Sequence, residues 1–343
     1  IVPHKFMNIK SGEKLRALLT ADSNVQKILH FGTYQVFKNR STYTCILILS
    51  KHANPEFRIG FVDDWNQFVF EHNADCQSYP AAYITHQPWA FLPQSLVNHL
   101  ERLAPSYVPL SNLSDIFVGV QTSADQIYII HADHEDDSYI YSHDREGREF
   151  QIEKAILRKS VYDTQLTCYE EITANSYIIF PYKQVEGRPV LYSLEEMCAS
   201  FPCALAYLQS YREKLDRRNM NGRTDQNWFA FGRSQSIKRF MAGEHLVWPV
   251  LSTNANYVYD NEMVVFTGGG NGPFYGLEMK ATTQESIFYV QAILNHWLME
   301  RLVKSKASTF RGDYYSHGKQ FIATLPIYKI DFDNPTEVAK HQD

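Results

Sequence analysis

The run Thr42-Tyr-Thr-Cys-Ile-Leu-Ile-Leu49 constrains this chain more than any other stretch. A strand with one wet face alternates apolar and polar residues. A nearly unbroken apolar run is instead the pattern of a strand buried on both faces. Such a strand needs neighbours in a sheet and cover on both sides. Its surroundings supply little of either. Val25–Phe31 reads as a second strand, and Ser11 can cap a short helix through about Leu19, with Leu15, Leu18 and Leu19 on one side. An αββ piece of this size is too small to stand alone. The chain opens on Ile1-Val-Pro3 without an initiator Met, which reads as the end of a buried strand. The first fifty residues are therefore expected to be the trailing edge of a larger domain, with much of its function upstream.

The remainder divides by composition. Residues 52 to about 110 carry six prolines and read as a linker with short strands and one helix near Gln94–Leu103. A β-rich stretch follows, with strands expected at Ile116–Val120, Gln126–Ile130 and Tyr177–Tyr182. The acidic segment Asp133–Gly147 reads as a surface excursion. Two long helices come next. Ser193-Leu-Glu-Glu196 is a capping box opening one, which restarts at Ser200 and Pro202 and runs to about Arg218. Thr282-Thr-Gln-Glu285 is a second capping box, leading into apolar residues at helical spacing through Leu302. Those stripes are core rather than a binding groove.

At 343 residues and 44% hydrophobic, the chain has length for about two domains and apolar content for sizeable cores. No run long enough to span a bilayer occurs. Five cysteines, odd in number and without a Cys-x-x-Cys pair, read as reduced thiols of a cytoplasmic protein with no zinc site. The net charge of −5 is unevenly spread. Between residues 56 and 159 acids outnumber bases by nine; between 205 and 325 bases exceed acids by four. A basic lobe on an acidic molecule fits a phosphate-binding face, and solvated helix faces fit equally well.

Three segments carry candidate chemistry. Phe266-Thr-Gly-Gly-Gly-Asn-Gly272 has the glycines of a cofactor loop, but Pro273-Phe-Tyr-Gly276 after it reads as a strand, which favours a hairpin. Asp260 with Glu278-Met-Lys280 distantly resembles a nuclease Mg²⁺ site. The interleaved Ser305-Lys-Ala-Ser-Thr-Phe-Arg-Gly-Asp-Tyr-Tyr-Ser-His-Gly-Lys319 suits a phosphate backbone and exposed base faces.

Taken in order, Ile1-Val-Pro-His-Lys-Phe-Met-Asn8, Gly12-Glu-Lys-Leu-Arg16, Phe31-Gly32, Val36-Phe37 and Tyr43–Leu49 resemble the end of the catalytic domain of γ-class adenine-specific DNA methyltransferases of restriction–modification systems. Ile116-Phe-Val-Gly-Val-Gln-Thr-Ser-Ala-Asp125, Ile179-Phe-Pro-Tyr182, Tyr207-Leu208, Leu215-Asp-Arg217, Ile293-Leu-Asn295 and Leu325-Pro-Ile327 resemble the TaqI-like C-terminal specificity domain. The resemblance implies a mixed α+β fold: a remnant of an α/β methyltransferase sheet over 1–52, a linker over 53–110, a β-rich target-recognition domain with long helices over 111–330, and a tail over 331–343. It implies double-stranded DNA as partner, S-adenosylmethionine as cofactor of the intact enzyme, and an upstream catalytic domain with or without a fused nuclease. The family's Asn-Pro-Pro-aromatic and cofactor-binding motifs are not in this sequence, where no two prolines are adjacent. The piece alone is expected to lack methyl transfer and to bind no cofactor. Phe37 falls where the family places the aromatic that stacks on a flipped adenine, with Tyr34 as substitute; Val36-Phe37 continuing a strand into the core is the other reading. Expected phosphate contacts are Arg233, Lys238, Arg239, Arg311 and Lys319, and Lys5 and Tyr314 are further expected DNA contacts. Gln121, Thr122 and Ser123 are expected to reach base edges, on a loop where the family usually has Gly in place of Ser123. A protein-interaction module and a Mg²⁺-dependent nuclease are the rival functions.

Overall fold

The apolar run forms a strand of a five-stranded sheet. The computed structural model describes residues 1–37, 40, 42–62, 65–66, 68, 75–144, 146–220, 222, 224–268, 272–307, 309–310 and 314–342. Strands β1 (Val2–Pro3), β2 (Val25–His30), β3 (Thr44–Leu49), β4 (Glu56–Phe61) and β5 (Cys76–Pro80) lie in the order β1-β3-β2-β4-β5. β3 is antiparallel to β1 and β2, β2 is parallel to β4, and β4 is antiparallel to β5. One face buries Phe6, Leu19, Ile28, Phe57, Tyr79 and Trp89. The other buries Leu29, Phe31 and Val62, with Val36, Ile46 and Trp65 against them. Residues 56–61 and 76–80, in the stretch read as a linker with short elements, are thus strands of this sheet.

β3 is buried only over its first half. β1 pairs with Thr44 and Cys45 alone, and beyond them Ile48 is 39% and Leu49 50% exposed. Helix α1 runs Glu13–Ala21 with Gly12 as its N-cap and no side-chain cap, so Ser11 does not play that part. Leu19 faces the core while Leu15 and Leu18 are exposed. Arg16 is buried and donates to the carbonyls of Phe6 (2.6 Å), Ile9 (2.8 Å) and His86 (2.9 Å), which satisfies three acceptors around the helix start.

The chain divides into two units that interleave in sequence. Unit one holds Ile1–Pro109, Leu251–Asn254 and His296–Lys329; unit two holds Leu110–Val250, Ala255–Asn295 and Ile330–Asp343. Within unit two, Ser114–Val118, His245–Pro249, Val258–Asp260 and Phe274–Met279 make a four-stranded antiparallel sheet. Smaller sheets surround it, and one large core joins Tyr128, Ile178, Leu208, Trp228, Phe240 and Phe266 among others. The fold is mixed α+β, with several small sheets.

Local chemistry explains where the elements depart from expectation. Ser193 and Glu196 do form a capping box. The helix they open ends at Ser200, restarts with Pro202 at its first turn, and breaks again at Tyr211 before Arg212–Asp216. Proline has no N–H to continue the ladder. The expected restart at Pro202 is present, and the further break at Tyr211 leaves three short helices. Likewise Ile287–Asn295 and Trp297–Lys306 are separated by His296 in an extended conformation. The second capping box does not form. Thr283 donates instead to the Leu113 carbonyl (2.7 Å), Glu285 accepts from the Ile330 N–H (3.3 Å), and Ser286 caps the helix through the Tyr289 N–H (3.1 Å). Gln126–Ile130 is not a strand throughout: Asp125–Tyr128 makes one helical turn before the two-residue strand Ile129–Ile130. The acidic excursion is a three-stranded sheet built from 134–135, 139–143 and 149–153. In the glycine run, Gly269–Asn271 lie outside the described residues.

Candidate nucleic-acid interface

Charge separates by unit rather than by half of the sequence. Unit one carries 16 Lys and Arg against 10 Asp and Glu, a formal +6; unit two carries 17 against 28, a formal −11. The basic run at 212–239 belongs to the acidic unit, and much of its charge is answered there. Arg212 pairs with Asp216 and Asp225 (both 2.9 Å), and Arg217 with Glu213. Arg239 pairs with Glu278 and approaches Asp115 (3.8 Å), so this expected phosphate contact sits between two carboxylates. Arg233 and Lys238 remain exposed.

Unit one presents the other candidates. The loop after β2 begins at Gly32, at φ +51, in the left-handed region that glycine adopts without strain. The Gly32 N–H donates to His30 Nδ1 (3.0 Å) and the Tyr34 N–H to the Phe31 carbonyl (2.9 Å). Phe31 enters the core; Tyr34 and Phe37 do not, at 44% and 45% exposed. Tyr34 stacks on Trp65 at 5.4 Å and 15°. Val36 takes the inward position beside Phe37, so the aromatic ring of residue 37 is presented outward. In the aromatic-basic segment, Thr309–Phe310 and Tyr314–Ser316 pair as strands, and Lys319 begins a short helix. Lys5 Nζ lies 5.8 Å from the Phe310 ring and Lys304 Nζ 5.2 Å from Tyr315. Tyr314 is exposed. Arg311 lies outside the described residues.

In unit two the turn Gln121–Asp125 is tightly built. Thr122 is wholly buried; its hydroxyl donates to Asp125 and accepts the Ala124 N–H (2.9 Å), so it shapes the turn and reaches no base. Ser123 sits at φ +56 and is exposed, a backbone state that favours glycine. Gln121 is partly buried, and its carbonyl accepts the Arg233 N–H (3.1 Å). Gly232 lies so close that a Cβ there would fall 2.1 Å from Ser123 Oγ.

Sequence reasoning missed the residue that holds this turn. Arg218 donates to the carbonyls of Trp228 (2.7 Å), Thr122 (2.8 Å), Ala230 (3.0 Å) and Leu215 (3.0 Å), and its guanidinium lies 5.5 Å from the Tyr128 ring. In the sequence it is one basic residue among several at a helix end, with no local signature.

The nuclease reading loses its residues. Asp260 accepts the N–H groups of Glu262 (3.0 Å) and Val264 (2.9 Å), Glu278 is paired with Arg239, and Lys280 donates to Ser111 and Asn112 carbonyls. Burial pushes the Asp260 carboxyl up to about 6. No group of three or more His, Cys, Asp or Glu that could hold a metal occurs among the described residues. None of the five cysteines is in a disulfide. No helix among the described residues is long and apolar enough to cross a membrane.

No protein-family model matches the chain. Curated proteins do. The type II restriction enzyme and methyltransferase RM.Eco57I of Escherichia coli is 27% identical over 99% of this chain and 35% of its own length. The chain is related to the methyltransferases of type II restriction–modification systems. Type II methyltransferase M.BanIII of Aneurinibacillus aneurinilyticus is 20% identical over 76% of this chain and 49% of its own length. The chain thus spans a third to a half of the length of these relatives. Among solved structures, the type IIL restriction–modification enzyme MmeI, determined in complex with DNA, matches with a TM-score of 0.55 and 12% identity. The match covers 98% of this chain and 39% of that one, and the likeness is one of fold.

Proposed function

We propose that this chain is the DNA-recognition portion of a site-specific N6-adenine DNA methyltransferase, acting in the cytoplasm of a bacterium or archaeon. Unit one holds the sugar-phosphate backbone and a flipped adenine; the Gln121–Ser123 turn of unit two supplies neutral groups for base edges. The observation that carries this reading is the concentration of positive charge in the unit that also exposes Tyr34 and Phe37 on one loop. An adenine amine inside a duplex is out of reach of any methyl donor. Extruding the base costs a few kcal/mol. Stacking it on an exposed aromatic face returns about 1–3 kcal/mol. Phe37 is the proposed stacking ring. Lys5, Lys319 and Arg311 are proposed phosphate contacts, with Tyr314 among them. Arg233, whose N–H bonds the Gln121 carbonyl, and Lys238 are further proposed phosphate contacts, and Gln121 and Ser123 are the proposed readers.

S-adenosylmethionine would supply the methyl group in the intact enzyme. The residues described here do not fit it. The glycine run at 267–272 leads into the strand Phe274–Met279, whereas a cofactor loop opens a helix. Methyl transfer is therefore assigned to the part of the longer enzyme that this chain does not cover, with or without a nuclease. The test is product identity. The intact enzyme, given S-adenosylmethionine and duplex DNA, is expected to yield N6-methyladenine. A methylated cytosine as its product would sink the adenine reading.

A further inference from the structure

We propose that the cavity beside the Gln121–Asp125 turn takes a single nucleobase drawn out of the DNA stack. This rests on the DNA-recognition reading and names the part of the nucleic acid that unit two receives. The cavity measures about 850 Å³ and lies wholly within unit two. That volume falls in the range of small-ligand sites.

Its lining fits a flat, uncharged, hydrogen-bonding group. Phe150, Tyr162, Tyr207 and Tyr211 contribute rings, with Phe150 and Tyr207 4.4 Å apart and Tyr207 and Tyr211 5.2 Å apart. The side-chain amides of Gln121 and Gln126 and the Ser123 hydroxyl line it and make no other side-chain hydrogen bond among the described residues. Amides offer a donor and an acceptor side by side, which is what a base edge presents in return.

Charged ligands fit less well. The lining holds one lysine, Lys214, whose ammonium lies 5.2 Å from the Tyr211 ring, and two histidines, His131 against the Asn175 carbonyl (3.3 Å) and His143 against Asp133 (2.8 Å), facing Asp125 and Asp144. One lysine facing two carboxylates makes no phosphate cradle. An organic cation would need a carboxylate aimed at it, and both carboxylates are engaged in the turns that carry them. Asp125 accepts the Thr122 hydroxyl. Asp144 accepts Arg148 Nε (2.7 Å) and the N–H groups of Glu146 (2.8 Å) and Arg148 (2.9 Å).

The walls are rigid. Arg218 fixes the Thr122 carbonyl. Beside the turn the Gly268 N–H donates to the Val120 carbonyl (2.9 Å), and Gly268 crosses Gly119 so closely that a Cβ on either would fall 2.2 Å from the facing backbone. A preformed slot is what a base needs if it is to stack without first ordering its site.

The experiment titrates the full chain with 2-aminopurine riboside, whose fluorescence is quenched on stacking, and measures duplex binding on the same samples. Saturable quenching is expected, with the 5′-monophosphate binding no tighter than the riboside. Tyr162→Ala, at a residue on the rim whose ring carries no hydrogen bond, should weaken riboside binding about tenfold. Gln121→Leu, which keeps the turn's backbone bonds, should weaken it as well. Absence of saturable quenching, full quenching in both variants, displacement by spermidine, or a monophosphate bound tenfold tighter would each overturn the assignment. Duplex binding without quenching removes this site and leaves the recognition reading intact. Quenching without duplex binding leaves a nucleobase site and removes the DNA reading.

Discussion

Replacing Arg218 by alanine should destabilise unit two by about 4 kcal/mol. The guanidinium serves four backbone carbonyls from three separate segments: the Leu215 helix end, the Thr122 turn, and Trp228 with Ala230. A charged hydrogen bond contributes about 1.5–3 kcal/mol net, and a carbonyl left without a partner costs about 1–3 kcal/mol. These terms overlap, because water can reach some of the freed acceptors. The net is therefore set at about 4 kcal/mol, the cost of about two carbonyls left fully without partners. Loss of the guanidinium over Tyr128 adds a smaller amount. For a unit of this size each kcal/mol moves the midpoint by about 2–4 °C, so the melting transition should fall by about 8–16 °C. Arg218→Lys keeps the charge but loses the planar fork, and should recover less than half of the loss. Calorimetry of the full chain, with near-ultraviolet circular dichroism to follow Trp228, reads both numbers. A loss under about 1 kcal/mol for the alanine variant, or full stability in the lysine variant, would mean that the carbonyls are satisfied without Arg218.

Three further outcomes are expected. In the intact enzyme Phe37→Ala should lower kcat/KM for methylation by about ten- to a hundredfold and leave duplex Kd within about twofold; equal losses would contradict a stacking role. Unit one should lose stability as pH falls. Burial holds His4 down to about 4, with Lys5 adding to it, and His30 down to about 3, with His4 adding to it. Both are neutral in the folded state while the unfolded chain takes up protons below about 6.5, so stability is unaffected above that pH and falls from there toward pH 4. The slope is about 1.4 kcal/mol per group per pH unit, read from urea midpoints, and a flat profile over that window would refute it. In unit two His245, also lowered to about 4 by burial, is opposed by Asp260, whose raised pKa favours the folded state as pH falls through about 6. Finally, Gly119→Ala should cost at least about 2 kcal/mol by thermal melting, because the added carbon meets the Phe266 carbonyl and not a movable side chain; a neutral substitution would show that the crossing can open.

How much of this was legible depended on whether the deciding contact was local. Ser193 and Glu196 signal a cap within four residues, and the cap forms. Thr282 and Glu285 show the same spacing, but Glu285 is taken by the Ile330 N–H and Thr283 by the Leu113 carbonyl, partners 45 and 170 positions away. The strands of 25–30 and 44–49 were readable from composition; the two strands that complete their sheet lay in the stretch read as a linker. The return of 296–329 to unit one leaves no mark on local pattern, and it relocated part of the basic half of the sequence. For the same reason Arg239 looked like a phosphate contact until Glu278 and Asp115 were placed beside it. Phe37 was undecided between core and surface, and Val36 taking the inward position put its ring outside.

The most direct test of the central claim is the salt dependence of duplex DNA binding by this chain. Counterion release makes log Kobs fall linearly with log salt, by about 0.9 per phosphate neutralised. Wild-type binding is expected to weaken steeply between 50 and 200 mM salt, roughly a thousandfold for six or more contacts. Lys5→Ala with Lys319→Ala should flatten the slope by about two phosphates. Binding indifferent to salt, or a slope unchanged in the double variant, would contradict the assignment of the backbone contacts to unit one.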